Sequence, residues 1–274
     1  MKRSAWLRKL PFFWLLFWFG ASISLGLGEL VRGPAARPIT EHWLSRTLLP
    51  PHFPEHIAGF DAFGRDVLAL TLRASALSSA FALFVALLTC VIGIIVGAAA
   101  SLARPRIRFL VSRLNDVLLA FPSLLLALAW AAARGPGWDT LAVSLSLGVL
   151  PPFTRLMQAR AHELAGEEYV TAALALGSGP SRLIRSHLAP PLLSLCAVKL
   201  PGLFAQALLA EATLSFLGVG APLGRETWGA LLAQGKEYLV EAPHIAIGAG
   251  IPLVLTVLSL QLISEGRTEK HLRR

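Results

Sequence analysis

Apolar and polar positions alternate along this chain on the scale of whole membrane helices. An α-helix needs about 20 mostly apolar residues to cross a bilayer. Charge-free runs at or near that length occur at Leu10–Gly28, Ala74–Ala103, Val117–Ala133 and Ala242–Ser264. Thr140–Thr154 reaches it only by taking in Gly135–Asp139, and a run between Leu192 and Gly220 is interrupted by Lys199, Pro201 and Glu211. The pattern predicts six spanning helices. A polar and basic break, Glu163–Pro191, separates the fourth from the fifth and is too long and too patterned for a simple turn.

Within that break, Tyr169, Ala172, Ala173 and Leu176 fall at i, i+3, i+4, i+7, one face of a helix running over 163–176. Gly177 stands where a helix end uses a left-handed residue. Pro180 suits the first turn of a second short helix, with Ser178 as its cap and Pro190-Pro191 as its end. Such a helix pair can rest on lipid headgroups, but the small residues at 172, 173 and 175 favour insertion into a protein groove.

Composition agrees with a membrane protein. Hydrophobic residues make up 55% and charged residues 15% of 274, with mean hydropathy +0.63, which leaves too little polar surface to cover a soluble globule. The net charge of +9 is spread over short loops, which serves membrane orientation and not nucleic-acid binding. With the N-terminus cytoplasmic, the inner segments hold Lys2, Arg3, Arg8 and Lys9, then Arg104, Arg106, Arg108 and Arg113, then Arg155, Arg160, Arg182 and Arg185, then the tail from Arg267. The outer loops after the third and fifth helices hold only Arg134, Arg225 and Lys236. Both termini are therefore expected in the cytoplasm. The first run is read as an uncleaved helix, because its 19 uncharged residues exceed the about 7–15 of a signal core. The expected organisation is an N-terminal helix and outer loop over 1–73, and a five-helix core over 74–274 carrying a cytoplasmic loop at 160–191.

Further features sit on this frame. The Pro- and Gly-rich loop from Glu29 to Arg73 ends in Gly59-Phe60-Asp61-Ala62-Phe63-Gly64-Arg65-Asp66, directly before a helical face at Val67, Leu68, Thr71 and Leu72. Gly93 and Gly97 form a GxxxG, expected to pack helices within the bundle. Glu211 is an ionisable group at membrane depth and so a candidate pathway or gate residue, or a structural partner. Trp228 and Tyr238 bracket a stretch expected to lie as a helix on the outer interface. Cys90 and Cys196 lie in apolar runs and read as packing residues. The seven histidines show no metal-ligand spacing, and the only Gly-Lys, Gly235-Lys236, lacks the GxxxxGK spacing of a phosphate-cradling loop. No enzyme chemistry, metal or cofactor is expected in this chain.

The break resembles the cytoplasmic loop of ABC importer permeases, whose pattern is Glu-Ala-Ala, three residues, Gly, nine residues, Ile-x-Leu-Pro. Thr171-Ala172-Ala173, Gly177 and His187-Leu188-Ala189-Pro190 match it, with Thr171, His187 and Ala189 departing from the pattern. Glu168, Tyr169 and Val170, His187 beside Pro190, the Gly59-x-Asp61-x-x-Gly64-Arg65-Asp66 motif and Glu211-Ala212-x-Leu214-Ser215-Phe216-Leu217-Gly218-x-Gly220 are similar to the C-type subunit of the dipeptide, oligopeptide and nickel permeases. The resemblance implies a multi-pass inner-membrane permease working by alternating access. It implies a second permease subunit, two cytoplasmic ATPase subunits that hydrolyse ATP and receive the 160–191 loop, and an extracytoplasmic substrate-binding protein. Peptide is the expected cargo and nickel the alternative. An ion-coupled secondary transporter would need coupling-ion residues and repeats, of which only Glu211 and Lys199 are candidates.

Overall fold

The computed structural model describes residues 9–32, 44–52, 54, 56–220, 222 and 224–272. Ten α-helices follow one another among the described residues: α1 Leu10–Arg32, α2 Val67–Leu102, α3 Pro105–Ala120, α4 Ser123–Arg134, α5 Trp138–Ala165, α6 Glu168–Ala175, α7 Pro180–Leu183, α8 Ala189–Phe216, α9 Trp228–Glu237 and α10 Pro243–Leu272. Among the described residues there is no strand beyond two isolated bridges. The chain is an all-α polytopic bundle. Its expected segment Gly33-Pro34 to Pro38 lies outside the described residues.

Among the described residues four stretches are long and apolar enough to cross a membrane: α2, α5, the continuous helix from Pro180 to Phe216, and α10. α3 and α4 make a fifth when taken together, bent by 86° at the break between Ala120 and Ser123. The run Val117–Ala133 is therefore not one straight helix. Pro122 explains the bend, because its ring excludes the α conformation at Phe121, which is extended at ψ 141°. α1 supplies the apolar stretch Leu10–Ser24, and packs on the bundle by bringing the Trp18 ring to 6.5 Å from that of Trp228 and by donating from Trp14 Nε1 to Thr256 Oγ1 of α10.

The buried face of α2 is lined by small residues, among them Ala74, Ser75, Ser78, Ala82, Ala86 and Cys90, while Phe84, Leu87, Val91 and Ile95 face outward. Helices in lipid gain little by burying large apolar groups, so close backbone approach takes over. The GxxxG shows this directly. A Cβ on Gly93 would lie 2.7 Å from the Phe153 ring, and one on Gly97 would lie 2.8 Å from the Met157 backbone, so this motif seats α2 against α5 of the same chain. Cys90 and Cys196 are buried and unbridged on α2 and α8.

Four local expectations change. The helix over 163–176 is broken at Gly166, where α5 ends and α6 begins at Glu168. α7 is capped at Gly179 with no side-chain bond, so Ser178 is not its cap. Pro190-Pro191 do not end it either. A π turn over Ile184–Leu188 widens the helix, with the Ala189 amide donating to the Ile184 carbonyl, and the prolines sit in the first turn of α8. A proline in a helix lacks a donor and crowds the carbonyl four residues back, and a π turn relieves both. Finally, Trp228 of α9 is not an interfacial ring. Trp228 is fully buried, its amide donating to Ser78 Oγ at 3.1 Å and its indole to the Thr71 carbonyl at 3.2 Å.

Candidate functional site

The loop between α5 and α8 presents one short helix on a narrow support. In α6 only Val170 is buried, whereas Tyr169, Thr171, Ala172, Leu174 and Leu176 are exposed and Ala173 is partly so, Leu176 at 88%. An eight-residue helix is marginal alone, so its end matters. The Ser178 amide bonds the Ala173 carbonyl at 3.0 Å and the Gly177 amide bonds the Leu174 carbonyl at 2.9 Å. Gly177 stands at φ +82°, the left-handed residue such a helix end requires. Tyr169 and His187 approach at 6.0 Å between ring centroids, tying α6 to the π turn that continues into α8. Glu168 is exposed in the first turn, and Thr171 Oγ1 donates back to its carbonyl at 2.9 Å. Thr171 therefore spends its hydroxyl within the helix. Pro190 is exposed in the first turn of α8. From Pro180 the loop runs through the π turn into α8 as one continuous helix.

The outer motif forms a polar knot at the start of α2. Asp61 is fully buried and its Oδ1 accepts from the Phe63 and Arg65 amides at 2.9 and 2.8 Å. Its Oδ2 accepts from the Arg65 guanidinium, at 2.8 Å from Nε and 2.7 Å from Nη2. Arg65 reaches on to Glu226 Oε1 at 3.0 Å, ahead of α9. Asp66 caps α2 by accepting from the Ala69 amide, and its other oxygen meets His56 Nδ1 at 3.0 Å. Arg46 Nη1 lies 3.0 Å from His56 Nε2. A guanidinium only donates, so Nε2 accepts and the proton sits on Nδ1, pointing at Asp66. His244 Nε2 completes the knot on the Phe60 carbonyl at 3.0 Å. Gly59, at φ +72°, leaves no room for a Cβ, which would lie 2.7 Å from the Leu49 carbonyl oxygen. Gly64 turns the chain at φ +68°. The knot binds the start of α2 to α9 and α10.

Glu211 lies beneath it, fully buried in α8. Its Oε1 accepts from Ser215 Oγ at 2.7 Å, and the hydroxyls of Ser78 and Thr227 face the same carboxyl. Since Thr227 caps α9 and Trp228 bonds Ser78, Glu211 stands where α2, α8 and the start of α9 meet. Lys199, the other charged residue of α8, lies toward the opposite end and donates to Thr268 of α10 at 3.4 Å.

Sequence reasoning found the motif residues but not their distant partners. Arg46, Glu226, Gln234 and His244 join the knot only through the fold, and nothing local marks them. A polar stripe on α10 was readable: Gln261, Ser264, Glu265, Thr268 and Glu269 recur at helical spacing on one face of an otherwise apolar run.

A helical bundle with several membrane-capable segments, small-residue interfaces and a protruding loop helix defines a multi-pass membrane protein. The family described as binding-protein-dependent transport system inner membrane component matches residues 90–269, and the chain belongs to it. It is 39% identical over 212 residues to a putative peptide transport system permease of Brucella suis biovar 1, covering 77% of this chain and 71% of that one. It is 32% identical over 212 residues to a dipeptide transport system permease of Alkalihalophilus pseudofirmus, covering 77% and 70%. It is 31% identical over 211 residues to a glutathione transport system permease of Pectobacterium atrosepticum, with the same coverage of 77% and 70%. The chain is a permease of an ABC importer in the inner membrane.

Proposed function

We propose that this permease moves short peptides, in a pair with a second permease and driven by two cytoplasmic ATPase subunits that bind and hydrolyse the ATP. The carrying observation is α6, an exposed helix with one buried anchor, rigidly ended at Gly177 and mechanically continuous with α8. Glu168, Tyr169, Thr171, Ala172, Ala173, Gly177, His187 and Pro190 would transmit ATPase closure through it. The topology that suits this role has six spans, counting α1 and treating α3 with α4 as one, with both termini cytoplasmic. Residues 1–73 then form a first helix and outer loop beside the core of 74–274.

The outer knot of Gly59, Asp61, Gly64, Arg65 and Asp66 keeps the outer ends of α2, α9 and α10 moving together when the bundle rocks. Glu211 acts there as the buried junction of three helices. Peptide cargo is supported by the names of the relatives, three of which transport peptides or the tripeptide thiol glutathione. Nickel has no such support. The test is reconstitution of the permease pair with its ATPases and binding protein in proteoliposomes. ATP-dependent accumulation of a labelled dipeptide is expected, and accumulation without ATP, or of nickel alone, overturns the proposal.

A further inference from the structure

A cleft of about 590 Å³ opens between α5, α8 and α10 toward the end of the bundle that carries α6. Its size falls within the range of small-ligand sites. Its lining is divided. Phe153 and Leu156 of α5 with Leu203 of α8 give an apolar wall, while α8 and α10 contribute Lys199, Gln206, Gln261, Glu265 and Glu269.

The charges in this cleft are not paired with one another. The Lys199 ammonium makes one 3.4 Å hydrogen bond to neutral Thr268 Oγ1, and among the described residues neither Glu265 nor Glu269 has a cationic partner. The nearby guanidinium of Arg267 is turned away, donating to the Ala197 carbonyl at 3.1 Å. Holding an ammonium and two carboxylates in one cleft without letting them meet forgoes their attraction. Glu265 and Glu269 are exposed and Lys199 is half-buried, so water solvates all three and each stays available to a ligand. The cleft also depends on close helix approach, since a Cβ on Gly202 would lie 2.8 Å from Ser264 Oγ.

We infer that this cleft is the inner-side binding site for a short zwitterionic peptide: Lys199 takes the terminal carboxylate, Glu265 and Glu269 take the terminal ammonium, and Gln206 and Gln261, a turn or more further out along α8 and α10, pair with its peptide group. A primary amide both donates and accepts, which matches a peptide group and has no such match in an acyl chain. The apolar wall receives a side chain. This deepens the peptide reading and rests on it.

The test uses the complete importer, both permeases with their ATPases, in lipid nanodiscs without nucleotide or binding protein. Equilibrium binding is measured for labelled alanyl-phenylalanine, its C-terminal amide and its N-acetyl form. Wild type should bind the free dipeptide best. Lys199→Gln should weaken the free dipeptide by at least about tenfold while changing the amide little, as expected for loss of one charge-assisted bond. Lys199→Arg should retain binding, which separates loss of charge from misfolding. Glu265→Gln combined with Glu269→Gln should mirror this with the N-acetyl form. Equal losses for blocked and free peptides, or no loss at all, overturn the inference. So does dissociation of the permease pair in these variants, which would make the cleft a subunit interface, or loss of a co-purifying phospholipid, which would make it a lipid site. If the wild-type importer with its binding protein accumulates no dipeptide, the peptide reading itself fails. If it accumulates dipeptide and only the Lys199 discrimination is missing, that reading stands and the inference alone falls.

Discussion

Gly177 offers the sharpest perturbation of the loop, because its two roles can be separated. Nothing lies within 4 Å of a Cβ built there, so a substitution meets no steric obstacle. The entire cost comes from φ +82°, about 1–2 kcal/mol for an L-residue in the left-handed region and toward the upper end for a β-branched one. In a whole bundle that is modest. In α6, with eight residues and Val170 as its one buried anchor, it acts on the element with the least to hold it. A cost of 1–2 kcal/mol lowers the population of the ordered helix end about 5–30-fold where the two forms are near balance. Gly177→Val is therefore expected to reduce ATPase co-purification and ATP-dependent uptake by about tenfold, Gly177→Ala by less, and Gly177→Asn least, since Asn tolerates this backbone. Membrane insertion and the melting temperature of the bundle should stay near wild type in all three. Uptake and co-purification at wild-type level in Gly177→Val would mean that the left-handed turn at Gly177 does not hold α6 in its docking form.

Three further perturbations follow from the packing. Asp61→Asn removes a buried partner of Arg65 and should destabilise by about 3–5 kcal/mol, read as a lower melting temperature of the detergent-solubilised complex; an unchanged melting temperature contradicts the knot. Gly97→Val drives a side chain into the Met157 backbone, costing about 1–3 kcal/mol, whereas Gly266→Ala, with open space around it, should be neutral or slightly stabilising in the same assay. Glu211→Ala leaves Ser215 without its carboxyl partner and should loosen α9 by about 1–3 kcal/mol, seen as faster protease cleavage between Gly224 and Trp228; unchanged cleavage would assign the carboxyl no part in holding α9.

Much of this fold was written in the chain, because a bilayer leaves few choices. Each run of apolar residues must satisfy its own backbone, so the spans at α2, α5, α8 and α10 were legible as lengths. The loop helix was legible too, since the period of Tyr169, Ala172 and Leu176 and the helix end at Gly177 are local signals. What local reasoning missed depends on geometry between segments. The 86° bend before α4 turns on one proline whose effect reads equally as a kink or a boundary. The fate of Pro190-Pro191 depends on a π turn that no residue pattern announces. Trp228 carries an amphipathic ring that suits an interface, yet Ser78 and the Thr71 carbonyl satisfy it inside the bundle. The outer knot shows the same division, with Asp61, Arg65 and Asp66 in one motif and Glu226, Gln234 and His244 more than 150 residues away.

The most direct measurement places a photo-reactive residue at Leu176, 88% exposed on α6, in the complete importer, with Ile247 of α10, 53% exposed on the outward-facing apolar surface, as the comparison position. Cross-linking from 176 to an ATPase subunit is expected, with a yield that changes when ATP is added, and none to the ATPase from 247. Cross-linking from 176 to lipid alone, or a yield to the ATPase indifferent to ATP, would contradict the claim that α6 carries the ATPase stroke into the bundle.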